Sequence, residues 1–200
     1  MKGADMDIDA KNYIDSLDIE SIPWNRMFTA YGTAEQYPEL LSVLAETTDI
    51  EEWKKTFNRL SDFEHQSTMF PSAPFALVFL IRILRKLLSA GTADEIAEKL
   101  VGQFVYYADV CSDAENLEHA QPLSYFSDLL NDENLLSEDD TEEDLERIYA
   151  DPEAVPDELF YSFYYYARIV LSQVPDILDQ YGKFPEESRE LRNKTAEIKI

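Results

Sequence analysis

His65-Gln66-Ser67-Thr68-Met69-Phe70-Pro71-Ser72-Ala73-Pro74 separates two runs in which apolar residues recur at three- and four-residue spacings. That spacing is the mark of amphipathic helix, so the ten residues read as a linker between two helices. Pro71 and Pro74 favour extended backbone before them, Ser72 is placed to cap the next helix, and proline is tolerated in a helix's first turn. His65 falls in the last turn of the preceding helix, where its ring can bond a free carbonyl or meet the helix dipole. The linker residues His65, Gln66, Thr68, Pro71 and Pro74 are accordingly assigned a structural role.

Outward from the linker the pattern stays helical. Apolar periodicity predicts helices near 36–46, 50–64, 74–89, 93–111, 123–131, 142–149, 157–174 and 176–181, with a last polar helix over 186–198. Thr33 with Gln36 and Thr92 with Glu95 have the spacing of reciprocal helix caps, and Asp49 with Glu52 is a weaker version. Gly32, Gly91 and Gly182 follow apolar runs, where a left-handed closing residue is wanted. No strand alternation is evident. The 74–89 helix is apolar except for a stripe of Arg82, Arg85, Lys86 and Ser89, so it must be covered on most sides. The next helix carries a narrower stripe of Ile96, Leu100, Phe104, Ala108 and Cys111.

Paired in order, these helices form hairpins starting near positions 36, 74, 121 and 157, a spacing close to the roughly 40 to 47 residues of a HEAT or armadillo unit. The expected fold is all-α: stacked helical hairpins making a short HEAT-like α-solenoid, or an irregular helical bundle. Two hundred residues make one domain by size and bury about 70% of the unfolded chain's surface without any staple. Residues 1–32, with Tyr13, Ile14 and Leu17 and then Trp24, Phe28 and Tyr31, form an amino-terminal cap. Residues 33–182 form the hairpins, and 183–200 a polar helix or tail.

From Tyr31-Gly32-Thr33-Ala34-Glu35 through Pro38-Glu39-Leu40-Leu41 and Leu60 to the linker and the apolar helix after Pro74, the chain resembles bacterial HEAT-like repeat proteins. In that pattern a helix beginning near a small-residue turn leads to a second helix ending in His-Gln-Gly-Thr, an aromatic residue and Pro, before a long apolar helix. The resemblance covers about residues 31–90, with Ser67 where Gly is usual and Phe70 where Tyr is common. It implies a helical-repeat fold and an interaction role. Members occur among bacterial interaction proteins, and some look like immunity proteins of toxin systems.

The net charge of −24 excludes a general nucleic-acid binder, since phosphates are repelled by this field. A direct protein partner is expected to be basic, although a large net charge also serves solubility alone. The amino terminus lacks the apolar run of a secretory signal, no segment has the about 20 apolar residues of a membrane span, and the lone Cys111 suits a reducing cytosol, where it acts as a small core residue. The expectation is a cytoplasmic protein.

Catalytic and metal chemistry find little support. His65 and His119 are the two histidines, and Asp62, His65 and Ser67 match a triad in composition without a reason to converge. No nucleophile elbow, phosphate loop or dinucleotide fingerprint is present. Asp5, Asp7 and Asp9 begin with EF-hand spacing, but Ala10 replaces the turn glycine and Ser16 the final Glu, so a disordered acidic terminus is expected. A di-iron site would want two Glu-x-x-His pairs, whereas Asp62-x-x-His65 is a single imperfect copy and His119 follows Asn116 at that spacing. No enzyme activity, cofactor or metal is therefore assigned; a helical-bundle enzyme would need His65 or the Arg82, Arg85 and Lys86 stripe to line a pocket.

What remains is surface. Between Asp109 and Glu158 stand 18 acidic residues against one basic, Arg147, densest at Glu138, Asp139, Asp140, Glu142, Glu143 and Asp144. Such runs are commonly solvated faces; here they also suit electrostatic steering of a basic protein. The run Phe160-Tyr161-Ser162-Phe163-Tyr164-Tyr165-Tyr166 follows. With Phe160, Phe163, Tyr164 and Ala167 inward, Tyr161 and Tyr165 point elsewhere, either under a second layer or as interface anchors. The leading expectation is a non-enzymatic acidic interaction module, an immunity protein neutralising a basic toxin domain, bound through the acidic residues with Tyr161 and Tyr165. The alternative is a generic HEAT-like scaffold binding a peptide or protein on its concave face.

Overall fold

Helix α4 (Ala73–Ala90) is apolar around almost its whole circumference, and four other helices pack about it. The computed structural model describes residues 3–91, 94–137, 139–140, 142–151 and 154–196, with side chains from residue 10 onward except that of 142. The elements are α1 (Gly3–Ser16), the strand pair β1 (Phe28–Thr29) and β2 (Gly32–Thr33), α2 (Tyr37–Glu46), α3 (Ile50–Leu60) and the strand pair β3 (Glu64–His65) and β4 (Thr68–Met69). There follow α4, α5 (Asp94–Glu115), α6 (Glu142–Ala150), α7 (Asp157–Leu171), α8 (Val174–Tyr181) and α9 (Pro185–Thr195). The fold is all-α, as its periodicity predicts.

A helix that is apolar on all sides has to be enclosed, and two of them are. In α4 every residue from Ala73 to Ile81 is buried, and in α7 every residue from Tyr161 to Leu171. They pack on each other, α5 lies across both, and α9 rests on α5 and α8. Each fully buried Leu or Phe, such as Leu80 or Phe104, contributes about 1.5–3 kcal/mol. Helix α1 packs on α7, far away in sequence, rather than on its chain neighbours alone. A solenoid stacks each unit on the next, so of the two expected arrangements the irregular bundle describes these packings.

The polar stripe of α4 terminates other helices. Arg82 donates from Nη1 to the Leu17 carbonyl at 2.8 Å and from Nη2 to that of Ile14 at 2.9 Å, and Lys86 donates to the Ala45 carbonyl at 2.7 Å. The ends of α1 and α2 are thus satisfied by cations, which their dipoles also favour.

Several local expectations are corrected. Helix α1 begins at Gly3, so the backbone of the acidic terminus is helical; the side chains of Asp5, Asp7 and Asp9 lie outside the described ones. Thr33 makes no side-chain cap, and Thr92 lies outside the described residues. Asp49 does cap α3, accepting from the Glu51 and Glu52 amides at 2.9 Å each. Gly91 and Gly182 close α4 and α8 in the left-handed region, whereas Gly32, at φ 140°, lies in a strand. Residues 123–131 hold a 3-10 turn (Phe126–Leu130) in place of an α-helix, and Ser72 precedes α4 without capping it.

The largest difference falls at the linker. His65 is not in a helix's last turn but in β3, paired with Thr68, and Glu64 pairs with Met69. The connecting residues Gln66 and Ser67 have φ of 51° and 63°, the double left-handed turn that matches strand twist and usually takes Asn-Gly. Ser67 thus adopts a conformation that a glycine would adopt freely. The other hairpin pairs Phe28 with Thr33 and Thr29 with Gly32, and the two meet where the Ala30 amide donates to the Asp62 carbonyl at 2.9 Å. Pro71 is buried and Pro74 lies in the first turn of α4, as the linker reading expects.

Candidate interaction surface

The aromatic run of α7 enters the core after one turn, so its first exposed residue is the one a partner can reach. That residue is Phe160, 40% exposed, with its ring against Phe163 and Tyr164 at 6.3 and 5.5 Å between centroids. Tyr161 and Tyr165, the expected anchors, are only 5% and 8% exposed. The second layer exists: the end of α5 and the loop after it cover Tyr161, whose hydroxyl donates to Glu115, while Tyr165 lies under the Arg168 guanidinium at 5.8 Å. Phe160, expected inward, takes the outward place instead.

Beside Phe160 is a pocket of about 510 Å³ between the end of α5 and the start of α7, with Leu117, Glu118, His119, Asp157 and Tyr161 in its wall. His119 stacks flat on Tyr161, ring centroids 3.6 Å apart and planes 10° from parallel. Its Nδ1 lies 2.8 Å from the Ala120 carbonyl oxygen, which can only accept, so Nδ1 carries a proton. Leu117 is 70% exposed at the rim. Burial and the Glu115 carboxylate push the Tyr161 phenol well above its ordinary pKa, keeping it a donor.

On its other side Phe160 borders a second hollow of about 220 Å³, walled by Phe28, Phe70, Ile148, Tyr149 and Val155. Ile148 and Asp151 then lead to a third, about 340 Å³, lined by Asp140, Asp144 and Arg147. The three adjoin, giving an aromatic strip with carboxylates along it. Asp139, Asp140 and Glu143 are exposed; Asp140 accepts from the Ser137 amide at 2.7 Å, and half-buried Asp144 pairs with Arg147. Glu138 and the Glu142 side chain lie outside the described residues. Other members of the acidic run hold the fold together: Asp109 pairs with Lys194, Asp132 with Arg26 at 2.6 Å, and Asp128 accepts from the Tyr125 amide at 3.0 Å.

The linker histidine lines none of these hollows, although its strand partner Thr68 borders the second. Its Nδ1 lies 3.1 Å from the Tyr31 hydroxyl, Asp62 accepts from Thr29 and Tyr37, and Glu64 accepts from the Ser67 amide at 2.8 Å and the Tyr106 hydroxyl at 3.0 Å. These bonds do not connect Asp62, His65 and Ser67 into a relay. Arg82 and Lys86 do border a groove of about 390 Å³ with Leu41 and Phe79, while serving as helix caps. Among the described residues no group of three or more His, Cys, Asp or Glu could hold a metal ion, and no helix is long and apolar enough to cross a membrane.

Leu117, His119 and Phe160 were not legible as surface residues. Leu117 is a lone apolar residue in a polar loop, a weak signal that was available; the flat stack of His119 on Tyr161 joins positions 42 apart and leaves no local trace. Comparison of the chain with protein-family models, with curated proteins and with solved structures returned no match.

Proposed function

We propose that the chain is a non-enzymatic acidic interaction module of the cytosol that binds and neutralises a basic protein, most concretely as the immunity partner of a bacterial toxin. The observation that carries this reading is exposed Phe160 set between hollows whose margins hold Glu118, Asp157, Asp151 and Asp140. An aromatic anchor inside a charged margin is the arrangement in which a few packed residues supply affinity and the charges supply encounter rate and selectivity. The toxin assignment rests on the resemblance of residues 31–90 together with the acidity. Phe160 and Leu117 replace Tyr161 and Tyr165 as anchors, and the carboxylates enter the partner's substrate cleft or meet its basic surface.

Co-expression with the product of the adjacent gene tests it. A basic partner should co-purify, its association should slow as salt rises, and Asp139→Lys with Glu143→Lys should slow association about tenfold at low salt. A chain that binds nothing cationic, with binding indifferent to these reversals, would sink the reading. The groove beside Phe79 favours a second one, a scaffold that holds a peptide by apolar contact; its binding would change little with salt.

A further inference from the structure

Resting on the reading of the acidic face as a binding surface, we infer that the pocket between α5 and α7 is a socket for one arginine side chain of the partner. Three features converge on a planar cation. First, His119, exposed and lying flat on buried Tyr161, and exposed Phe160 give the pocket accessible aromatic surface. Guanidinium stacks on such faces through both its charge and its plane, which a lysine ammonium lacks. Second, α5 is a 22-residue helix with no basic residue in its last turn, Ala114 of that turn lines the pocket, and the carbonyls of Ser112, Asp113 and Ala114 accept from neutral donors of Asn116 and Leu117 rather than from a cation. Glu118 and Asp157, both exposed in the same wall, add two carboxylates that suit a forked donor. Third, with His119 Nδ1 donating to the Ala120 carbonyl, Nε2 is the nitrogen left to accept from a donor in the pocket. The cation closest to this region in sequence along α7, Arg168, is committed to the Ala196 carbonyl at 3.0 Å.

The chain's two histidines make the test direct, since His65 sits against Tyr31 and supplies an internal control. At fixed pH, N-acetyl-arginine N-methylamide should shift the His119 ring-proton resonances saturably and leave those of His65 in place. The lysine counterpart should bind about fivefold more weakly or worse, and Glu118→Gln with Asp157→Asn should weaken the arginine probe about tenfold. Both substituted residues are exposed, and an unchanged thermal melt confirms the variant's fold. A stationary His119, equal binding of lysine, or an unchanged curve in the folded variant overturns the socket. A hexa-arginine peptide separates this from the underlying reading. If it binds in a salt-dependent way while His119 stays still, the socket fails and the acidic face stands. If it does not bind at all, both fail.

Discussion

The hydroxyl of Tyr149, in the last turn of α6, donates to the main-chain carbonyl of Thr29 at 2.5 Å. This ties the acidic helix to the first hairpin, and the Tyr149 ring meets Phe28 edge-on at 6.3 Å. Leu145 is the buried apolar residue of α6, so the helix has few other moorings among its described side chains. Tyr149→Phe should cost about 1 kcal/mol and speed amide exchange through residues 143–150. Exchange in α5 should be unaltered; equal acceleration in both helices would contradict a local tether.

Asp62 sits beneath both hairpins, accepting from Thr29 Oγ1 at 2.9 Å and from the Tyr37 hydroxyl. Burial, the larger influence, raises its carboxyl above the ordinary 3.8, and the two hydrogen bonds draw it only partly back. An acid with a raised native pKa binds its proton more tightly when folded, so its contribution is fully present below 3.8 and is lost as pH rises through the native value. The stability of the wild type minus that of Asp62→Asn, from urea denaturation across pH, should therefore fall just above 3.8 and then level. A difference that climbs over that interval would refute the assignment.

At the linker turn, Ser67→Gly should raise stability by about 0.5–1 kcal/mol, because glycine adopts the positive φ without the steric cost that serine bears. The Ser67 amide and carbonyl bonds to Glu64 and Tyr164 are main-chain and survive the change. Gln66→Val should act in the opposite sense by about 1 kcal/mol or more, since a branched side chain resists that conformation. Denaturant midpoints of the two variants on opposite sides of the wild type would establish the strained turn.

Cys111 lies in α5 with 2% of its surface exposed, and burial pushes its thiol up to about 12. Reactivity belongs to the thiolate. A disulfide reagent at pH 8 should leave the native protein unlabelled and modify one thiol per chain in denaturant; rapid native labelling would show that the α5–α7 contact opens readily.

How much of this was readable follows the range of the interactions. The helices α2, α4, α5, α7 and α8 are legible to within a few residues because apolar periodicity is local, as are Gly91 and Gly182, which close α4 and α8. The two hairpins leave no sequence signal because a two-residue ladder is too short to alternate, and Gln66-Ser67 lacks the Asn-Gly signature of its own turn. The placement of α7's aromatics failed where the decisive neighbours are remote: His119 stacks on Tyr161 and Glu115 takes its hydroxyl, so a residue expected on the surface is covered and Phe160 is left outside. The acidic run was visible as composition, but its division into surface carboxylates and those paired with Arg26 and Lys194 depends on the tertiary fold.

Arg82 and Lys86 give the middle of the chain authority over its beginning. The last turns of α1 and α2 are completed by side chains that arrive only when α4 docks, 65 and 41 residues further along. In a repeat array, length can drift by gaining or losing units, because each unit finishes itself against the next. Here neither α1 nor α2 can be removed without stranding the cations of α4, and α4 cannot be removed without leaving their carbonyls bare, so this part of the chain should diversify by recolouring its surface while its length holds constant.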